Sequence, residues 1–169
     1  MTTSSVALNG VSHFELTVRD LERSLGFYRD LIGFRVVQEG TTDRVFPNSS
    51  RLKIYEQPER EFRFAVLDCS ADPVPFGLSA VPTIVLLSPL GPAPNGESIK
   101  VDQIGITHFG VWVNGLDAVV GHLEGHGVRF LEPPHTMVTL PHGTVRSAFT
   151  QDPDGIMIQL DEFMPGPAQ

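Results

Sequence analysis

Two histidines, His13 and His108, open matching stretches of this chain. His13 stands in GVSHFELTVRDLERSLGFYRDLIGFRVV, residues 10–37, and His108 in GITHFGVWVNGLDAVVGHLEGHGVRF, residues 105–130. A neutral imidazole suits Fe, Mn, Ni, Co or Zn, but a histidine can also simply hydrogen-bond inside a core. Two at equivalent positions of a repeat favour ligation of a divalent metal ion. Other groups with chemistry to offer lie around them. Glu15 shares a strand face with His13 and is a candidate acid or base. Trp112 shares the face of His108 and either lines a substrate pocket or fills it. His142, in a turn beside Gly143, is a candidate substrate or acid/base residue. Arg146 offers a cation to an anionic substrate or to a surface salt bridge. His122 and His126 have the i, i+4 spacing of a helical metal site, but they fall among Gly and Glu on a solvent face. Cys69, the single cysteine, lacks an activating neighbour and is given no role.

The elements that must position these groups follow from periodicity. Laying His13 over His108 matches Phe14 with Phe109, Val18 with Val113, Leu21 with Leu116 and Leu25 with Val120. Residues 11–18 alternate as a half-buried strand, with His13, Glu15 and Thr17 on one face and Phe14, Leu16 and Val18 on the other. Asp20 is a good helix N-cap, and Leu21, Leu25 and Tyr28 with Leu31 or Ile32 form an apolar helical stripe. Gly33 stops that helix and Phe34 starts the next strand. Strands are expected at 51–56, 61–67 and 83–87, with loop signals around Pro47, Pro58 and Pro73–Pro75. Residues 89–95, PLGPAPN, read as a linker. In the second half, strands are expected at 106–113, 128–131, 136–140, 145–150 and 156–161, and a helix from Leu116 capped by Gly115 and ended by Gly127. Pro133-Pro134 is expected to break the chain, and Asp152-Pro153-Asp154-Gly155 to turn it. Each half reads as βαβββ, so the fold class is α+β: two modules, 10–90 and 105–163, in one domain, 10–163, with loose tails at 1–9 and 165–169.

Composition bounds the partners. The chain has 169 residues, 41% of them hydrophobic, enough for a buried core. A net charge of −8 with only 12 Lys and Arg argues against nucleic acid. The first residues, MTTSSVALNG, lack the basic and apolar regions of a signal peptide, and no apolar run reaches membrane-span length. One cysteine makes no internal disulfide. A soluble cytoplasmic protein is the expectation.

The paired modules, the two His-Phe-x-x-x-Val segments and the closing DPDGIMIQL, residues 152–160, resemble the vicinal oxygen chelate superfamily of glyoxalase I, extradiol dioxygenases and bleomycin-resistance proteins. The resemblance implies an open, strongly curved eight-stranded mixed sheet enclosing a cup. There a divalent metal is held by one residue from the first and one from the last strand of each module. Carried onto this chain, the ligands are His13, His108 and Gln159, while the fourth position falls on Val85, which cannot bind a metal. A glyoxalase-type isomerisation needs a carboxylate to move a proton, and Val85 and Gln159 occupy the places that supply it. True glyoxalase I is therefore disfavoured. The leading expectation is a metal-dependent enzyme on a small organic substrate, a ring-cleaving dioxygenase or a lyase/isomerase. Its rival is a metal-free binding protein of the bleomycin-resistance kind. Homodimerisation is a further implication of the resemblance.

Overall fold

A computed structural model describes residues 10–42, 60–70 and 82–166. The chain divides into two compact units, Met1–Pro94 and Asn95–Gln169. Each carries one four-stranded mixed sheet backed by helix. The strand expected at 51–56 and the loop signals at Pro47, Pro58 and Pro73–Pro75 lie outside the described residues.

The first unit contains β1 (His13–Thr17), β2 (Arg35–Thr41), β3 (Phe62–Asp68) and β4 (Thr83–Pro89). Their order is β1-β4-β3-β2, with β1 parallel to β4 and the other pairs antiparallel. Helix α1 (Leu21–Leu25) starts where expected, because the Asp20 carboxylate accepts from the amide of Arg23 at 2.9 Å. It does not continue as a regular α-helix. Over Gly26–Leu31 the backbone widens to π spacing, and the amide of Ile32 donates to the carbonyl of Phe27, five residues back. Phe27 and Tyr28 in that turn are both buried.

Alternation sorts this sheet into two faces. Ala65, Leu67, Ile84 and Leu86 lie on the helix side with Val18, Leu21, Leu25 and Tyr28, all buried. Tyr28 stacks parallel to Phe34 at 6.2 Å. On the other face Phe62, Phe64 and Leu87 form a second buried cluster, with Val66 and Val85 packed against it.

The second unit contains β5 (His108–Trp112), β6 (Phe130–Leu140), β7 (Gly143–Gln151) and β8 (Met157–Pro165), in the order β5-β8-β7-β6. Again the outer first strand is parallel to the last. Helix α2 (Leu116–Gly125) buries Leu116, Val120 and Leu123. Gly115 enters it at φ 73°, a left-handed conformation that favours glycine, and its amide donates to Glu162 at 2.8 Å. Helix-side burial is supplied by Ala148, Thr150, Ile158 and Leu160.

One expectation is corrected. Pro133-Pro134 does not break the chain: β6 runs through it as a single strand with register shifts on both sides of Glu132 and between Thr136 and Val138. Neither Pro133 nor Pro134 has a partner in the β7 register: both fall in the bulge between Glu132 and His135 of this edge strand, where no ladder donor is required.

Candidate functional site

The closing turn aims β8. Asp152 is buried, and one carboxylate oxygen accepts from the amides of Asp154 and Ile156, both at 2.8 Å. Gly155 completes the turn at φ 86°. The aspartate is thereby consumed by backbone, and its work is to start β8 in register with β5: His108 opposite Met157, Gly110 opposite Gln159, Trp112 opposite Asp161.

His13 and His108 share more than a position. Ser12 Oγ lies 3.0 Å from His13 Nδ1, and Thr107 Oγ1 lies 3.0 Å from His108 Nδ1. A hydroxyl can accept from Nδ1–H, which fixes the ring and leaves Nε2 with a free lone pair; ligating histidines are commonly held this way. Sequence reasoning passed over Ser12 and Thr107, although the repeat carried them as Ser-His-Phe over Thr-His-Phe.

In the second unit the face bearing His108 also carries Trp112, Gln159, Asp161, Ser147 and Phe149. Gln159 sits diagonal to His108, and its amide nitrogen donates to Asp161 Oδ1 at 2.7 Å and to Ser147 Oγ at 3.3 Å. The Ser147 hydroxyl donates to the same carboxylate oxygen at 2.5 Å. A carboxylate only accepts, so it dictates which end of the Gln159 amide turns toward it. Gln159 Oε1 is left outside this network. Asp161 was not among the residues expected from the sequence; its signal is its place two residues after Gln159, hence on the same strand face. Gly110 leaves room for it: a Cβ there would lie 3.1 Å from Asp161 Oδ2.

His135 was also missed. It pairs with Ser147, which puts it on the same face. Its ring lies parallel to Phe149 at 6.3 Å, while His108 meets Phe149 edge-on at 6.0 Å. The sequence signal was obscured by Pro133-Pro134, which made 135 look like a loop position.

The other expected residues sit elsewhere. Arg146 lies on the helix side of β7 by alternation, in a two-bond ion pair with Asp117 (2.7 and 2.9 Å) and 3.6 Å from Glu162. The pair raises the Arg146 pKa and lowers that of Asp117. His142 stands in the β6–β7 turn beside Phe163, its carbonyl accepting from Gly166. From Gln159 to the end of β8 beside that turn is about 20 Å of strand. In the first unit Glu15 is exposed on the face of His13, opposite Val85. Trp112 is 38% exposed. Burial pushes the Cys69 thiol up to about 11, so it stays protonated and unreactive near neutrality.

The donor set tests whether a metal fits. Among the described residues no three His, Cys, Asp or Glu side chains gather as a metal-binding group. Each unit by itself offers neutral donors: an imidazole with a hydroxyl beside Nδ1 in both, and in the second unit also an amide oxygen oriented by Asp161. Imidazole is a donor type that suits divalent transition ions.

Comparison with known proteins places this geometry. A profile of the Glyoxalase/Bleomycin resistance protein/Dioxygenase superfamily matches residues 10–160. The uncharacterized protein YaeR of Escherichia coli (strain K12) is 25% identical over 157 residues, covering 93% of this chain and 98% of YaeR. Among solved structures, a glyoxalase family protein from Bacillus cereus aligns with a TM-score of 0.68 at 18% identity, covering 96% of this chain and 99% of its own. The trypanothione-dependent glyoxalase I of Leishmania major aligns at 0.55 and 21% identity, over 90% and 86% of the two chains. TnmS3, an antibiotic binding protein from a Streptomyces species, also aligns at 0.55, with 20% identity over 94% and 99%. No helix among the described residues is long and apolar enough to cross a membrane.

Proposed function

The chain belongs to the Glyoxalase/Bleomycin resistance protein/Dioxygenase superfamily, and from that premise we propose that it is a divalent-metal-dependent enzyme acting on a small organic molecule. The observation that carries this reading is the repeated hydroxyl–imidazole pair, Ser12–His13 and Thr107–His108, each at 3.0 Å. A core histidine needs no such repetition; a ligand needs its ring fixed and one nitrogen bare. The candidate ligands, carried over from the superfamily resemblance, are His13 in the first unit and His108 and Gln159 in the second. A divalent ion supplies Lewis acidity toward a substrate oxygen. The chain's own residues do the rest. Asp161 and Ser147 hold the Gln159 amide in one orientation. Glu15, exposed on the face of His13, is the group available to move a proton. Val85 offers the first half no donor, and Gln159 cannot shuttle a proton, which favours ring-cleaving oxygenation or lyase chemistry over glyoxalase I isomerisation. Homodimerisation and a cytoplasmic location belong to the same reading.

The test is elemental analysis of untagged protein purified without chelators, beside His13→Ala and His108→Ala. About one Fe, Mn, Ni, Co or Zn per chain, lost in both variants, supports the reading. No metal in the wild type, even after soaking, sinks it.

A second reading has its own observation. The His13 face of the first sheet presents the partly buried Val66 and Val85 over the buried Phe62, Phe64 and Leu87, an apolar lining of the kind that suits sequestration of an apolar ligand without chemistry. It is also the reading to which TnmS3 lends weight. Ligand binding that survives complete metal stripping would decide for it.

A further inference from the structure

We propose that His135, Phe149 and His108 form a binding wall for a planar ring, and that His135 accepts a hydrogen bond from a hydroxyl on that ring. The proposal rests on the reading that small molecules bind the second unit's His108 face; it does not require a metal there.

Three observations converge. First, register and bulges bring three rings from three strands to one face, with Phe149 between a parallel His135 and an edge-on His108. Aromatic rings favour offset-stacked and edge-to-face partners, so a further planar ring has compatible surfaces to pack on. Second, the sheet is exposed at Gly110, between His108 and Trp112, where the Asp161 carboxylate is the neighbouring side chain. Third, the tautomer of His135 is set. Its Nδ1 lies 2.9 Å from the carbonyl oxygen of Pro133. A carbonyl only accepts, so Nδ1 carries the proton, and Nε2 of the neutral ring has the lone pair. Pro133 thus has a function in the proposal: the bulged double proline turns a carbonyl back onto the imidazole two residues later.

The occupant is therefore a small planar molecule bearing a hydroxyl donor. A ring without the hydroxyl would keep the stacking and lose the hydrogen bond, and a site built around an acceptor discriminates between the two.

Trp112, the single tryptophan, lies on the same face and reports occupancy by its fluorescence. The probes are p-nitrophenol and nitrobenzene, titrated at pH 7, above the ordinary range of imidazole protonation, by equilibrium dialysis with Trp112 quenching as the readout of location. Wild type should bind p-nitrophenol about 10-fold more tightly than nitrobenzene. His135→Ala should bring the two affinities together. His135→Gln, which keeps an acceptor, should restore part of the preference. Phe149→Leu should weaken both probes alike. An unchanged preference in His135→Ala overturns the proposal, as does failure of the wild type to bind either probe at millimolar concentration. Metal content measured on the same samples separates the outcomes: metal-free protein with a His135-dependent preference would refute the metalloenzyme reading and leave this one standing.

Discussion

The two units share a backbone plan and differ on one face. In the first, the sheet surface around His13 is lined by Phe62, Phe64, Val66, Val85 and Leu87, with Glu15 its acidic group. In the second, the surface around His108 carries Ser147, Gln159 and Asp161 in one hydrogen-bonded network, beside the rings of His135 and Phe149. The helix-side faces, by contrast, are alike: Val18, Leu25 and Leu86 in one, Leu116, Leu123 and Leu160 in the other, all buried. A duplicated fold thus keeps the instructions for burying a helix on a sheet, because every copy must remove that apolar area from water. The opposite face is released from that demand and can diverge, one half toward an apolar wall and the other toward positioned polar groups.

The largest expected effects fall on what the halves share. Leu25→Ala and Leu123→Ala each remove a fully buried side chain, and each should cost about 2–5 kcal/mol in urea unfolding. A large loss in one half and almost none in the other would break the likeness of the two cores.

Gln159→Glu attacks the difference. The new carboxylate would lose the amide donor to Asp161 and set two negative groups side by side. In the metal-free protein, stability should fall by about 1–3 kcal/mol at neutral pH. Two adjacent carboxylates repel only when both are ionised, so the loss is absent at low pH and grows as pH rises through the normal carboxylate range. With metal, the added charge should tighten binding at least about 10-fold. A neutral substitution in both measurements would show that Asp161 does not govern the 159 side chain.

Val85→Glu places a carboxylate on the apolar wall opposite Glu15. It should destabilise the metal-free protein by about 1–3 kcal/mol and strengthen metal retention, read by chelator competition. Unchanged retention would mean that the first half's wall takes no part in holding an ion.

The smallest effects belong to the surface. Arg146→Ala removes an exposed pair with Asp117 and should cost less than about 1 kcal/mol, with p-nitrophenol binding unchanged. Asp68 is held down to about 2 by hydrogen bonds from Ser70 and by Arg35. A carboxyl depressed in the folded state contributes stability above its unfolded pKa and loses it as pH falls toward 2. The stability gap between wild type and Asp68→Asn should therefore be present at pH 7 and shrink between about pH 4 and pH 2.

The repeat, its strand-opening histidines and the polar and apolar sides of β1 and β5 were legible in the sequence. They rest on local periodicity and on residue types, which a chain displays before it folds. So were the Asp20 cap and the turn that starts β8, since both are written in residues a few positions apart. The bulged passage of β6 through Pro133-Pro134 was not, because whether prolines break a strand depends on whether their backbone must pair with a neighbour, and here both fall in a bulge of an edge strand. The π turn after Leu25 was not legible either, because the local spacing of apolar residues does not distinguish the bond from Ile32 to Phe27 from an α-helical one. Arg146 read as a cation for a substrate or for a salt bridge, and alternation against β8 set it beside Asp117. Ser147, Gln159 and Asp161 became a network, and His108, Phe149 and His135 a wall, only through the register of four strands. A one-residue slip in any of them would have turned its side chains to the other face, so only the tertiary structure could decide which residues meet.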